Sequence, residues 1–161
     1  MLELLEWIEG TVLGGIARES LYGFQILVAI HLLGLIFSLG ALLWIDLRML
    51  GLCLMTQRLE DVYKELSRWF VAGFTVMFLS GIALFAGFAT SAYGNVYFRI
   101  KVVVMILAGL NAIAFHLLLR RTPVATDSDA PAAAIRAAGL LSIAAWGIVA
   151  FCGRMMSYTL F

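Results

Sequence analysis

Hydrophobic residues run along this chain in four long stretches that are separated by shorter polar segments. The stretches cover about residues 21–45, 69–89, 97–119 and 133–157. Each is long enough to cross a hydrocarbon layer of roughly 30 Å as a helix that rises 1.5 Å per residue. The backbone finds no hydrogen-bond partners in lipid, so runs of this length favour helices over barrel strands, which alternate over about ten residues. The pattern predicts an all-α, integral membrane four-helix bundle.

The segment before the first stretch has a different pattern. Between residues 2 and 15, apolar positions at near-helical spacing are interleaved with Glu3, Glu6 and Glu9, and the pattern ends around Gly14. This arrangement predicts an N-terminal amphipathic interfacial helix, with a frayed terminus as the alternative. The first ten residues carry no Lys or Arg, the opposite of a secretory signal, so we interpret them as mature sequence.

The composition agrees with a bilayer as the main solvent. The chain has 161 residues, of which 63% are hydrophobic and 13% charged. Four spans of about 20 residues leave no separate soluble domain, so residues 1–161 form a single transmembrane domain whose expected partner is the lipid bilayer. The net charge is +1 and no basic stripe is present, which argues against nucleic acid. Cys53 and Cys152 fall near opposite faces, too far apart for a disulfide.

Lys and Arg are concentrated in two connecting segments. Residues 46–68 carry four, the segment joining the third and fourth spans carries three, and the turn at 90–95 carries none. Because cytoplasmic loops are enriched in these residues, we expect a multi-pass protein of the bacterial inner membrane with both termini in the periplasm. Asp46 and Arg48 are interpreted as an ordinary interfacial charge pair. The stretch 122–131, with two prolines among small residues, is interpreted as a flexible connection.

Two histidines lie inside the spans, where ionisable residues are candidates for function. His31 is deep in the first span and, as the commonest type of metal ligand, is a candidate to ligate haem or a metal. The structural alternative is a hydrogen bond to Ser80 or Asn111 on another helix. His116, the second metal candidate, lies near the inner end of the third span, at a depth that differs from that of His31 by about 13 Å. This mismatch argues against the hypothesis that both histidines ligate one haem iron, without excluding it.

Three further residues complete the candidate cofactor site. Met77 on the second span lies close to the depth of His31, and histidine with methionine is a known haem ligation, although core filling is the alternative. Lys101 and Arg154 lie a turn or so inside the outer ends of the third and fourth spans. We expect them to face inward as charge partners of haem propionates, with snorkelling to the headgroups as the alternative. Small residues in every span indicate close helix packing.

Several stretches resemble a bacterial family of small four-helix membrane proteins that has no assigned function. They are His31–Gly34, Asp46–Gly51, Lys101, Asn111–His116 and Gly153–Arg154. In layout, the chain is also similar to the copper-resistance D and cytochrome b561-type membrane proteins. Diheme b561 proteins place four histidines, so the two histidines here leave at most one b-type haem with two histidine ligands. The resemblance implies the fold and no particular reaction.

The leading hypothesis is a haem-binding membrane electron-transfer protein with haem b as cofactor, which exchanges electrons with quinone or with a partner protein. A transporter or copper-handling protein that uses intramembrane His and Met is one alternative, and a structural or assembly subunit is another. The chain has no paired-cysteine metal site, phosphate-binding glycine loop, HExxH or serine elbow, so we expect no hydrolase. Whether it is an enzyme, and whether it forms a homo-oligomer, stays open.

Overall fold

The structure is a computed structural model that describes residues 2–20, 22–121 and 133–160. The predicted flexible connection at 122–131 lies outside the described residues. The described chain contains seven helices: α1 (Leu2–Glu9), α2 (Val12–Glu19), α3 (Gly23–Leu50), α4 (Leu59–Gly87), α5 (Ala89–Gly94), α6 (Val96–Arg121) and α7 (Ala133–Leu160). We call the end of the bundle that carries α1, α2 and α5 the outer end, and the end that carries the loop at 51–58 the inner end.

Four of these helices are long and apolar enough to cross a membrane. The candidate spans are Gly23–Leu50, Leu59–Gly87, Val96–Leu117 and Ala133–Thr159. The predicted all-α membrane bundle is therefore confirmed. The helices extend past the apolar runs at the inner end, because a helix does not have to stop where the lipid stops. The first span continues to Leu50, where Gly51 adopts a left-handed conformation (φ 77°) and ends it.

The N-terminal amphipathic segment forms two short helices rather than the single one predicted. The helical conformation is interrupted at Gly10 and Thr11, and α2 continues beyond Gly14, where the sequence predicted the helix to end. Thr11 caps the second helix, since its Oγ1 accepts a hydrogen bond from the Gly14 amide at 3.4 Å. Most large apolar side chains of the two helices, including Trp7 and Val12, are exposed, as expected for a face that lies in lipid, whereas Leu5 and Ala17 are buried.

The four spans are arranged as two closely packed pairs. Helix α3 packs along α4, α6 packs along α7, and α3 also contacts α7. The first pair meets at glycines: a Cβ added to Gly34 would lie 2.6 Å from the Met77 nitrogen, and one added to Gly73 would lie 2.6 Å from the Ser38 nitrogen. Any larger residue would force these helices apart, which supports the predicted role of small residues in close packing.

Large side chains hold α4 and α6 apart along what we call the α4–α6 seam. These two helices are not among the pairs with close backbone approach. Phe85 stacks on Phe98 at the outer end with 5.2 Å between ring centroids, and Tyr63 meets Phe115 edge-on at 5.7 Å at the inner end. Between them, an apolar cluster that includes Trp146 fills the centre of the bundle. Helices α4 and α6 therefore meet through side chains, which can change rotamer. Helices α3 and α4 meet through close backbone contact, which cannot.

Candidate functional site

The ring of His31 lies against α4. Its Nδ1 is 3.2 Å from Ser80 Oγ. Gly81 accommodates the ring, because a Cβ there would lie 3.2 Å from His31 Cε1. Of the two helix-crossing partners that we considered from the sequence, Ser80 is the one that binds His31. Asn111 donates instead to the Ala138 carbonyl on α7 at 3.0 Å.

The hydrogen bonds of Ser80 indicate which nitrogen of His31 carries the proton. Ser80 has one hydroxyl hydrogen, and its Oγ lies 2.7 Å from the Val76 carbonyl and 3.0 Å from the Met77 carbonyl. Because that hydrogen is donated to the backbone, the Ser80 oxygen accepts from Nδ1–H of His31. The backbone carbonyl of Met77 is a second acceptor beside the ring, and among the described hydrogen bonds with a named ring atom only Nδ1 takes part. The lone pair of Nε2 is thus available to a metal or a proton.

Lys101 reaches from α6 into the bundle. Its Nζ lies 3.6 Å from the position of a Cβ added to Gly153 on α7, next to the buried Cys152. Neither ion pair found between described residues involves Lys101. A half-buried ammonium without an anion is costly in an apolar bundle, so this position favours an anionic or hydrogen-bond-accepting group. Cys152 and Cys53 are both free thiols, as expected.

Arg154 does not face the bundle, and the expectation that it does is wrong. Its side chain is exposed, its Nη2 donates to the Tyr158 hydroxyl at 2.8 Å, and its guanidinium lies 4.5 Å from the centroid of the Tyr158 ring. The reason is helical geometry: Gly153 faces α6, and the next residue is turned about 100° away. Of the two outer cations proposed as propionate partners, only Lys101 is placed inside.

His116 lies at the other end of the bundle from His31. Its Nδ1 is 3.1 Å from the Tyr63 hydroxyl. Both histidines form hydrogen bonds with residues of α4, so the rise along α4 between those residues gives the axial separation of the histidines. Ser80 and Tyr63 are seventeen residues apart, which corresponds to about 25 Å along the axis. The depth mismatch of about 13 Å predicted from the sequence was too small, and ligation of a single iron by both histidines is excluded in this fold.

Met77 lies one turn inward of Ser80 on α4. Its side chain is buried in the central cluster with Ala108, Trp146 and Val149. This environment agrees with the alternative we considered, in which the flexible thioether fills an irregular gap in the core. Its role as a haem ligand stays a prediction.

Asp46 and Arg48 form two separate buried sites, which contradicts the predicted interfacial pair. Their exposures are only 3% and 4%. Asp46 hydrogen-bonds to the Ser142 hydroxyl on α7. Arg48 donates through Nε and Nη2 to the Gln57 carbonyl at 3.0 and 2.9 Å, which closes the inner loop. Side chains two residues apart on a helix point in nearly opposite directions, a signal that was available in the spacing.

Glu9 fastens the N-terminal helices to the outer end. Its Oε1 accepts from the Thr90 hydroxyl and from the Thr90 amide, the latter at 2.8 Å, and its Oε2 lies 3.7 Å from Arg18. The Thr90 hydroxyl holds the pKa of Glu9 below its ordinary value, with the Thr90 amide and the Arg18 charge acting in the same direction. We call α1 and α2 together the N-terminal strap. Sequence reasoning missed this contact, because it joins residues that are distant in sequence.

The described residues fit a b-type haem in two respects and restrict where it can lie. His31 offers a free Nε2 whose ring is oriented by Ser80, and Lys101 is an inward cation. The glycines of the α3–α4 pair leave no space, because each is filled by the opposite helix. A haem bound to His31 would therefore have to lie on the α6 side of its ring, where the described side chains of the α4–α6 seam are packed together and would have to move. The described residues contain no group of three or more His, Cys, Asp or Glu side chains that could hold a metal ion.

Comparison with known proteins adds a family and no activity. Residues 4–159 match the model of a family of unknown function, DUF6644. This agrees with the resemblance to an uncharacterised family of small membrane proteins. No curated protein and no solved structure matches the chain.

Proposed function

We propose that this chain, which belongs to the family of unknown function DUF6644, is a membrane electron-transfer protein that holds a b-type haem through His31. The observation that carries the proposal is the hydrogen bond from Nδ1 of His31 to Ser80, which leaves Nε2 free. An axial histidine is usually oriented by such a bond on its other nitrogen. When bound, a b-type haem supplies one-electron redox chemistry, and the protein positions it and adjusts its potential.

Three residues of this chain have defined tasks in the proposal. His31 provides an axial ligand, Ser80 holds the ring in its tautomer, and Lys101 offers a hydrogen-bonded ion pair to a propionate. His116 and Arg154 take no part, because one lies about 25 Å away along α4 and the other faces outward. Met77 is the remaining candidate from the sequence for the second axial ligand.

Space for the ring would come from the outer end of the α4–α6 seam. Phe85 lies about one turn outward of Ser80 and Gly81, and Phe98 lies about one turn outward of Lys101. The two rings stack in the position that a flat group would enter. Side chains can change rotamer at modest cost, whereas the α3–α4 backbone contact cannot open without separating the helices.

An absorption spectrum tests this function directly. Protein purified from haem-replete cells should show a Soret band, and His31→Ala should lose it. His116→Ala is the matched control, since it removes the same kind of side chain at the inner end and should keep the band. Met77→Ala should change the low-spin spectrum only if Met77 is the second ligand. A wild-type protein without a Soret band, or a band that survives His31→Ala, contradicts the proposal.

The alternatives from the sequence have less support in the geometry. The described residues contain no group of three or more His, Cys, Asp or Glu side chains, so a copper site at His31 would depend on Met ligands. A structural subunit would also use the His31–Ser80 hydrogen bond, but it gives no account of an inward Lys101 without an anion. Both alternatives predict a colourless protein, so the same spectrum separates them from electron transfer.

We also propose that the protein lies in the bacterial inner membrane with its outer end in the periplasm. Four spans place both termini on one side. The inner-end segments carry seven of the eleven Lys and Arg residues, and such segments are usually cytoplasmic. In a variant without the native cysteines, Ser91→Cys should react with an impermeant maleimide in intact cells, and Thr56→Cys should react only after lysis. The reverse pattern would invert the topology.

A further inference from the structure

An apolar groove runs along the lipid-facing side of the α3–α4 pair. We call it the α3–α4 groove; it has a free volume of about 260 Å³ and is lined by Leu33, Gly34, Phe37, Trp69, Ala72, Gly73 and Val76. Phe37 stacks on Trp69 with 6.3 Å between ring centroids, and both residues are more than half exposed. An exposed apolar surface of this kind marks a contact with a membrane or a partner, and in a bilayer the surrounding apolar group is an acyl chain.

A second depression continues the groove along α4. We call it the charged hollow, because it is lined by Asp61, Lys64, Glu65 and Arg68. On α4, the residues that line the two depressions are 61, 64, 65, 68, 69, 72, 73 and 76, at alternating intervals of three residues and one. Residues three and four apart lie on the same face of a helix. The hollow and the groove are therefore one continuous surface, which changes from charged to apolar between Arg68 and Trp69.

The inner boundary of the bilayer falls at this change. Gly14 of the N-terminal strap crosses α4 at Ala86, whose carbonyl lies 2.8 Å from the position of an added Gly14 Cβ. Arg68 is eighteen residues inward of Ala86 on the same continuous helix, which corresponds to about 27 Å. The hydrocarbon layer is roughly 30 Å thick. Because the strap lies at the outer interface, Arg68 and Trp69 lie at the inner one, and the charged hollow lies in the headgroup layer.

The four charges of the hollow are not paired with one another. Neither of the ion pairs found between described residues includes any of them, and all four side chains are exposed. The hollow thus presents two cations and two carboxylates that are open to a ligand or to water. A ligand that satisfies all of them has to carry both a negative and a positive group.

We propose that the α3–α4 groove and the charged hollow together bind one phospholipid of the phosphatidylethanolamine class. One acyl chain lies in the groove. Arg68, at the bilayer boundary, binds the phosphate, for which its guanidinium offers two parallel donors. Glu65 is three residues further from the bilayer, about 4.5 Å along the axis, and accepts from the primary ammonium, which extends from the phosphate toward water.

The same charges disfavour the other common headgroups. A headgroup that is only anionic gains from the two cations but meets two carboxylates at the same site, which repel it. Phosphatidylcholine has the correct charges, but its methylated nitrogen has no N–H to donate to Glu65. The site is separate from His31, Ser80 and Lys101, so this proposal goes beyond the proposed function and does not depend on a haem.

The experiment titrates the purified protein in detergent with dioleoyl phospholipids and measures bound lipid by native mass spectrometry. Phosphatidylethanolamine should form a single tight adduct. Phosphatidylcholine and phosphatidylglycerol with the same chains should bind about three- to fivefold more weakly, the scale of an exposed ion pair. Glu65→Gln should abolish the preference for phosphatidylethanolamine over phosphatidylcholine. Glu60→Gln is the matched control, since Glu60 is exposed on the same helix but does not line the hollow, and it should keep the preference.

Ala72→Phe tests the groove. The new ring should fill it and weaken the binding of all three lipids severalfold. The control is Ala112→Phe, which adds the same ring at an exposed position of α6 outside the groove and should leave binding unchanged. Equal affinities of the wild type for the three lipids, or wild-type behaviour of Glu65→Gln or Ala72→Phe, would overturn the inference. Tighter binding of phosphatidylglycerol would also overturn it, because the site would then select anionic lipids.

Discussion

At the scale of single residues, two buried serines of the α3–α4 pair differ in whether their hydroxyl groups are satisfied. Ser80 donates to the backbone of its own helix and accepts from His31. Ser38 is fully buried, and its Oγ has no hydrogen-bond partner among the described residues. A buried hydroxyl without a partner costs free energy, whereas a satisfied one contributes a little. The two positions therefore predict opposite effects of the same substitution.

Ser80→Ala should weaken haem binding by roughly 10–100-fold, the usual effect of removing a group that orients a metal-ligating histidine. Binding is weakened rather than lost, because Nε2 of His31 is still present. The measurement is a haem titration of the apo-protein in detergent. Ser142→Ala, which removes a hydroxyl at the inner end, should not change the affinity. Equal affinities for Ser80→Ala and wild type would show that Ser80 does not orient the ring.

Ser38→Ala should raise the free energy of unfolding by about 1 kcal/mol, because it removes an unsatisfied polar atom and keeps the small size that the helix contact requires. Equilibrium unfolding in detergent measures the change. A clear loss of stability would mean that the Ser38 hydroxyl has a partner, such as a bound water molecule.

At the scale of helices, stability depends on whether elements meet through backbone or through side chains. The α3–α4 contact is a backbone contact at Gly34 and Gly73, while the N-terminal strap is attached by one carboxylate and by small residues. The first kind of contact is sensitive to volume and the second is sensitive to charge. Each leads to a separate prediction.

Gly34→Ala should lower the free energy of unfolding by about 1–3 kcal/mol, the usual cost of overpacking, because the new Cβ would lie 2.6 Å from the Met77 nitrogen. The control is Gly40→Ala on the same helix, where an added Cβ meets nothing within 4 Å. That substitution should be neutral or slightly stabilising through helix propensity. Thermal unfolding of both variants decides the point, and equal effects would argue against close α3–α4 packing.

The strap should detach at low pH. The pKa of Glu9 is lowered in the folded state by the Thr90 hydroxyl, so its contribution is complete above its ordinary value of 4.5 and is lost as the pH falls through the folded-state pKa. The protection of the α1 and α2 amides, which compares their exchange rate with the intrinsic rate at the same pH, should therefore fall in acid. In Glu9→Gln this protection should be lower at neutral pH and nearly independent of pH. An unchanged acid response in Glu9→Gln would assign the effect to another group.

At the scale of the whole molecule, the two close helix pairs are joined by the α3–α7 contact and by aromatic packing. Trp146 on α7 is central to this packing, because its ring meets Phe74 at 6.0 Å and Phe70 at 6.5 Å, both on α4. The centre of the α4–α6 seam is thus tightly packed around Trp146, and at its outer end Phe85 stacks on Phe98.

Trp146→Ala should destabilise the bundle by about 3–5 kcal/mol, because it leaves a cavity in the central cluster. Trp69→Ala is the control with the same loss of atoms: Trp69 is 58% exposed, whereas Trp146 is 7% exposed. Its replacement should cost much less. Thermal unfolding in one detergent compares the two variants, and similar losses would contradict the central role of Trp146.

The sequence alone determined the helical class, the number of spans and the uncharacterised family. The bilayer imposes these features, since a span must reach across about 30 Å and satisfy its own backbone hydrogen bonds. The sequence also identified His31 as a polar residue deep in its span, with Ser80 as a candidate hydrogen-bond partner. These conclusions depend on local composition and length, which a single sequence contains.

Only the tertiary structure decided which polar residues meet. Depth counted from span ends is one coordinate, whereas contact also depends on the rotation and tilt of each helix. For this reason the separation of His31 and His116 was underestimated, Arg154 was wrongly placed inside, and Asp46 was paired with Arg48 instead of Ser142. The attachment of Glu9 to Thr90 likewise joins distant parts of the chain, and no local pattern encodes it.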